Sequence, residues 1–350
     1  MNVEKLTDRL RNRLGKTTSK EYKNGQTFNR SPGKQSSGWC RGEQLKRRML
    51  TRYQNTSFSE AVTSTVAETR YGQIPYREET ECPLLEVGSA SKQDLLGELQ
   101  LLYGIGEIRE DKLKKSGFDS LADLVDHPNW AESASALVET IQDAGAGELM
   151  DLITRWKPAS GPLALALGGL LQAEDFAVFD IETLGLTHQP VIILGVAFPT
   201  QSCTRVRQLV LRDINQEPAA LLEIFRLLDG KQAIITYNGK RFDIPYVNSR
   251  FRYYGIKKEL KAINFDLYHF VLNLWGQELS SCGLNTVERK KLKITRSHDL
   301  PSSMVPNFYK TYREKDNPGP LIPILEHNKQ DLLSLCVLYN ELWNEMIRDA

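Results

Sequence analysis

The chain lacks any run of about 18 apolar residues, the length a helix needs to cross a bilayer, which argues against a membrane span. No apolar stretch follows the charged N-terminus, so no secretory leader is expected; Glu4 and Asp8 among the arginines speak against a transit peptide. Cysteine is sparse: Cys40, Cys82, Cys203, Cys282 and Cys336 are scattered and contain no CxxC pair. Both a disulfide framework and a structural zinc site are thereby disfavoured, and a reducing cytoplasm is the expected compartment.

What is present suits one large domain and a smaller one within 350 residues, of which 41% are apolar. The net charge of +1 conceals segregation. Residues 1–50 carry thirteen Lys/Arg against four Asp/Glu, whereas residues 93–157 carry six against thirteen. A basic tail adds salt-dependent, sequence-independent attraction to nucleic acid; a merely solvated tail fits the composition equally well. Residues 1–92 are polar with little apolar periodicity and are expected to be largely disordered. The exceptions expected there are a short amphipathic helix at Val3–Leu14 and an ordered patch near Tyr71–Tyr76 docked on a later domain.

Residues 93–157 read as helices separated by glycine turns, with Leu95, Leu96, Leu99, Leu102, Ile108 and Leu113 suited to a packed helical pair. Gly104 and Gly106 permit backbone geometry that a side chain blocks. The segment resembles a helix-hairpin-helix module, which implies that the Gly104–Gly106 turn meets a nucleic-acid phosphate with help from Lys112, Lys114 and Lys115. The acidic balance keeps a structural or protein-docking role equally open. A linker is expected over residues 158–173, and an α/β domain over 174–350. Its expected strands are 176–182, 191–198, 205–211, 233–237 and 262–266, with helices near 217–228, 244–254 and 325–343. Three hairpin-linked strands followed by crossovers predict a mixed sheet flanked by helices.

Within FAVFDIETLGL, residues 176–186, Asp180 and Glu182 stand two apart at the end of a buried strand and so share a face. Like charges beside a core need a cation, and hard divalent ions such as Mg²⁺ or Mn²⁺ suit carboxylate oxygens. Asp243 stands at the entry of a helix after the Asn238-Gly239 turn, where a routine N-cap is the plain alternative. Asp266 ends a later strand, and His327 and Asp331, four apart, share a helix face. Each of these acids is ambiguous alone.

Together, FDIETLGL, NGKRFDIPYVNSRF, FDLYHFVLNLW, SCGLNTVERKKL and EHNKQDLLSL resemble the motifs of the DEDD exonuclease superfamily, and specifically the YprB-type ribonuclease-H-like family. The resemblance covers residues 174–345 and implies a ribonuclease-H-like fold with 3′–5′ exonuclease activity on DNA or RNA. It makes Asp180, Glu182, Asp243 and Asp331 the ligands of two ions, Mg²⁺ or Mn²⁺, and puts His327 where a residue orients or deprotonates the attacking water. One departure stands out. Better-known members have a Tyr at this spacing, or a His with one more residue before the Asp; here a His has the Tyr-like spacing.

Asp266 and Asn238 are expected to support the ligands from behind, with capping of the following helix as the other role for Asp266. Lys240 and Arg241 are placed to touch a phosphate. Arg289, Lys290, Lys291, Lys293 and Arg296, ahead of the Ser297–Pro301 loop, form a basic cluster expected at a nucleic-acid-facing edge. Tyr309 and Tyr312 fit base stacking, or more simply helix packing. The rival readings are a non-catalytic nucleic-acid scaffold and a structure-specific endonuclease.

Overall fold

The computed structural model describes residues 37–82, 85–296 and 300–348. The helix expected at Val3–Leu14 lies outside the described residues. The expectation of a largely disordered N-terminal region is corrected from residue 37 onward. Helix α1 (Ser37–Arg52) buries Leu45 and Met49, and a hairpin follows, β1 (Thr65–Thr69) and β2 (Gly72–Glu81). These strands are charged and contain Pro75, so they lack the apolar alternation of an independent hairpin; pairing with a later strand gives them their order.

The helical module consists of α2 (Lys92–Leu96), a 3₁₀ turn at Leu99–Leu101, α3 (Glu107–Lys115), α4 (Ala131–Asp143) and α5 (Ala146–Thr154) around its own core. The first helix of the expected pair is broken: α2 stops at Leu96, and the chain then tightens into the 3₁₀ turn. Gly104 has φ +91° and needs to be glycine, whereas Gly106 is extended at φ −103°. The expected linker is packed rather than free. It forms α6 (Pro162–Ala166), whose Ala164 lies in the module's core and whose Leu165 lies in the core of the following domain.

That domain is built on β3 (Phe176–Thr183), β4 (Val191–Pro199), β5 (Thr204–Val210), β6 (Ala233–Thr236) and β7 (Ile263–Asp266). The sheet order is β1-β2-β5-β4-β3-β6-β7, antiparallel from β1 to β3 and parallel across β3, β6 and β7. Strand β3 is central and buried on both faces, which is why its sequence is an unbroken apolar run. Ala177, Phe179 and Ile181 face α7 (Glu217–Leu228) and α8 (Asp243–Tyr253). Phe176 and Val178 face α9 (Leu267–Trp275) and the long C-terminal helix, while α10 (Val305–Lys315) packs with α1 in a separate cluster. The long helix, α11 (Leu321–Trp343), runs across β3 and β4 and buries Leu332, Leu335, Leu338 and Leu342. Strand β2 is tied to it by ion pairs, Arg77 to Glu326 at 2.7 Å and Lys329 to Glu79 and Glu81 at 2.7 and 2.9 Å. Among the described residues, no helix is long and apolar enough to cross a membrane.

Candidate metal centre

Three elements converge at the C-terminal end of β3. Asp180 and Glu182 continue the row of Phe176 and Val178 on the α11 face, past the point where apolar packing ends. The pairing with β4 shifts register between Glu182 and Thr183, a bulge that re-aims the strand end. Strand β6 accompanies β3 only over residues 176–178. Beyond that, the Ile181 amide donates to Asp243 Oδ1 at 3.2 Å. Asp243 is thus the first residue of α8 rather than its N-cap, and its carboxylate turns toward β3.

The turn that delivers Asp243 is held from behind. Asp266, 1% exposed, accepts from the Asn238 amide at 2.6 Å and the Lys240 amide at 3.0 Å. Asn238 adopts φ +62°, a left-handed conformation that asparagine tolerates. At Gly239 a Cβ would stand 2.4 Å from Thr236 Cβ, so the turn closes only with glycine there. Asp266 makes no side-chain cap on α9.

From α11, His327 is buried and Asp331 half-buried on the same face. His327 Nε2 lies 4.0 Å from Glu182 Oε1, 3.7 Å from Asp331 Oδ2 and 3.3 Å from Ser302 Oγ. Asn328 donates to Asp180 Oδ2 at 2.7 Å and accepts from Gln208 Nε2 at 2.7 Å. Gly195, opposite Asp180, makes room for it: a Cβ there would sit 2.1 Å from Asn328 Oδ1.

Four carboxylates in one desolvated corner repel one another. Burial, then Asp331, Asp243 and Glu182, raise Asp180 well above the ordinary carboxylate range. Burial and the same neighbours Asp331 and Asp243 raise Glu182, opposed by Arg296. Burial pushes Asp243 up to about 7, with Asp266 and Asp331 adding to it against the backbone amides that stabilise its charge. Among the described residues, the cation at these carboxylates is Arg296. Its side chain, 8% exposed, grips Glu288 through two bonds of 2.6 and 2.7 Å, pairs with Asp331, and donates to His327 Nδ1 at 3.1 Å. Among the described residues no three acidic, His or Cys groups are drawn together closely enough to hold a metal ion. The donor set is nonetheless all hard oxygen, negative in excess, and already draws in a guanidinium. It therefore fits a hard divalent cation.

The other expected residues are dispersed. Gly104, Gly106 and Lys112 belong to the helical module with its separate core. Lys240 and Arg241 are exposed on the turn before Asp243. Arg289 and Lys290 are exposed on a π-helical turn, Glu288–Leu292, whose other side sends Glu288 inward. The basic cluster expected at one edge is divided. Lys291 pairs with Glu278 at 2.7 Å and lies over the Trp275 ring, and Arg296 is inside the centre rather than on a solvated face. Tyr309 and Tyr312 are buried, so helix packing is their role. Residues 297–299 of the polar loop lie outside the described residues. Glu288, Asn328, Gln208 and Ser302 are parts of the centre for which sequence reasoning found no role, and Arg296 was given a different one. Asn328, one residue from His327 on an otherwise apolar helix face, was the one available signal.

Comparison with known proteins accords with the fold. A family model described as the RNase_H superfamily matches residues 177–343. The chain is 30% identical over 210 residues, 58% of its length, to the uncharacterized protein YprB of Bacillus subtilis (strain 168). It spans half the length of that relative. Among solved structures, a family B DNA polymerase from the archaeon Pyrobaculum calidifontis matches 48% of this chain and 24% of its own, at 18% identity and TM-score 0.39, too distant to carry an argument.

Proposed function

With residues 177–343 belonging to the RNase_H superfamily, in a chain of the YprB-type ribonuclease-H-like family, we propose that this protein is a metal-dependent 3′–5′ exonuclease acting on phosphodiester bonds of nucleic acid. The observation that carries the reading is the surplus of negative charge: Asp180, Glu182, Asp243 and Asp331 come from three separate elements to one sheet end, where each ionised neighbour makes the next costlier. A protein that only bound nucleic acid would gain nothing from such repulsion.

Asp180, Glu182, Asp243 and Asp331 would hold one or two Mg²⁺ or Mn²⁺ ions, which when bound supply the positive charge that the attacking water and the leaving oxygen need. The chain's own residues do the aiming. Asn328 fixes the carboxylate of Asp180, and the Ile181 amide fixes that of Asp243. Asp266 keeps the Asn238–Lys240 turn closed so that Asp243 arrives where it does. His327 faces the same space with Nε2. Lys240, Arg241, Arg289 and Lys290 are exposed cations available to a phosphate backbone.

The test is an assay with end-labelled DNA and RNA strands side by side, with Mg²⁺ or Mn²⁺ and with EDTA, and with free and blocked 3′ ends. Mononucleotide release from free 3′ ends, abolished by EDTA, is expected. Cleavage of blocked or circular strands would instead make it an endonuclease, and no cleavage with either metal would leave a binding scaffold.

A further inference from the structure

The imidazole of His327 is held between two different kinds of neighbour. On one side a guanidinium N–H of Arg296 meets Nδ1 at 3.1 Å. On the other, among the described residues, Nε2 faces oxygens: Ser302 Oγ at 3.3 Å, Asp331 Oδ2 at 3.7 Å and Glu182 Oε1 at 4.0 Å. A guanidinium donates and never accepts, so Nδ1 must offer its lone pair to Arg296. In the neutral ring the remaining proton is then on Nε2, where the oxygens can receive it. Arg296 is not free to turn away, because two hydrogen bonds anchor it to Glu288, whose side chain is 2% exposed.

We propose that His327 presents an N–H donor to the site, not a lone pair, and that Arg296 and Glu288 are positioning residues that set this tautomer. The proposal rests on the nuclease reading for its chemistry. A nitrogen that carries its proton toward the site cannot take one from water there, so the general-base role is withdrawn from His327. In its place His327 can hold an oxygen, of a water or of a phosphate, by donation. The unusual spacing acquires a reason. Four residues before Asp331, where better-known members have the O–H donor of a tyrosine, this chain has an N–H donor made from a histidine and a locked arginine.

The test uses the full chain with ¹⁵N-labelled histidine and long-range ¹H–¹⁵N correlation at neutral pH, with His327 assigned by its loss in His327→Gln. Wild type is expected to show protonated Nε2 and unprotonated Nδ1. Arg296→Lys, still a pure donor, should keep that pattern, and Arg296→Met should give a tautomer mixture. Protonated Nδ1 in wild type, or an unchanged pattern in a folded Arg296→Met, would overturn the proposal. Turnover gives the second reading. Glutamine keeps an N–H donor but is no base, so His327→Gln should exceed His327→Ala by about tenfold, the worth of one good hydrogen bond. Were His327 the base, both would fall together by about 10²–10⁴-fold, which also contradicts the proposal. If no nuclease activity is found at all, the function falls, while the spectrum of wild type still decides the tautomer.

Discussion

Two buried acidic sites lie within this one domain, both drawing a residue from α8, and they are built on opposite principles. At the first, Glu217 at the start of α7 is fully buried and fully answered. Arg250 binds it through Nε at 2.7 Å and through a second guanidinium nitrogen, the Val191 amide donates at 3.0 Å, and the Tyr254 hydroxyl at 2.7 Å. At the second, Arg296 pairs with Asp331 and its charge reaches Glu182, and that arginine is already committed to Glu288. One charge with four donors is a strut. Four charges with a fraction of a cation are a site that needs something more. The strut also serves the site: Arg250 donates to the His188 carbonyl at 3.3 Å and so helps pin the loop that follows Glu182.

Removing one member of each separates the two roles. Asp180→Asn is expected to cost activity well beyond the roughly 10–100-fold typical of losing an outer contact to a metal ligand. Because it also relieves repulsion, its melting temperature without metal should equal or exceed that of wild type; calorimetry in EDTA beside a turnover assay reads both. Arg250→Ala should behave in the opposite way. Stranding Glu217 ought to lower stability by about 3–5 kcal/mol in denaturant unfolding.

The pH dependence of stability sharpens the contrast. Asp243, raised to about 7 when folded against an ordinary value of 3.8, keeps its proton in the native state where the unfolded chain has released it. Stability of the metal-free protein therefore falls as pH rises from about 4 to 7, by at most about 4 kcal/mol for this group. Divalent metal should flatten the slope. Melting curves across pH in EDTA and in Mg²⁺ test this, and a slope that is absent in EDTA would remove the electrostatic argument. The smallest effect is expected from Asn328→Ala, which leaves all four carboxylates in place but releases Asp180. Metal affinity or turnover should drop by about 10–100-fold, and stranding a Gln208 amide N–H should cost about 1–3 kcal/mol of stability.

The strands of the domain were legible because a central strand buried on both faces spells itself as FAVF and VIILGVAF, and the paired carboxylates because DxE ends such a strand. The helix register that pairs His327 with Asp331 follows from their spacing. The β1–β2 hairpin was hidden by composition: GQIPYREETE holds four charged residues and a proline, and its order comes from β5 and α11 far along the chain. Arg296 was hidden in a basic run, where one buried arginine is indistinguishable from solvated lysines until Glu288, Asp331 and His327 surround it. Asn328 needed Gly195 and Gln208, which local pattern does not connect to it. The roles of Asp266 and Asn238 depend on backbone amides and could be anticipated only as proximity.

The central claim is that the four carboxylates form one cation site, and Mn²⁺ titration of the full chain, followed by calorimetry or by electron paramagnetic resonance of the free ion, tests it most directly. Saturable binding to wild type, with affinity lost in Asp180→Asn and in Asp331→Asn but kept in a variant of the other acidic site such as Tyr254→Phe, is the predicted result. Equal Mn²⁺ binding by wild type and both Asn variants, or none by a folded wild type, would contradict it.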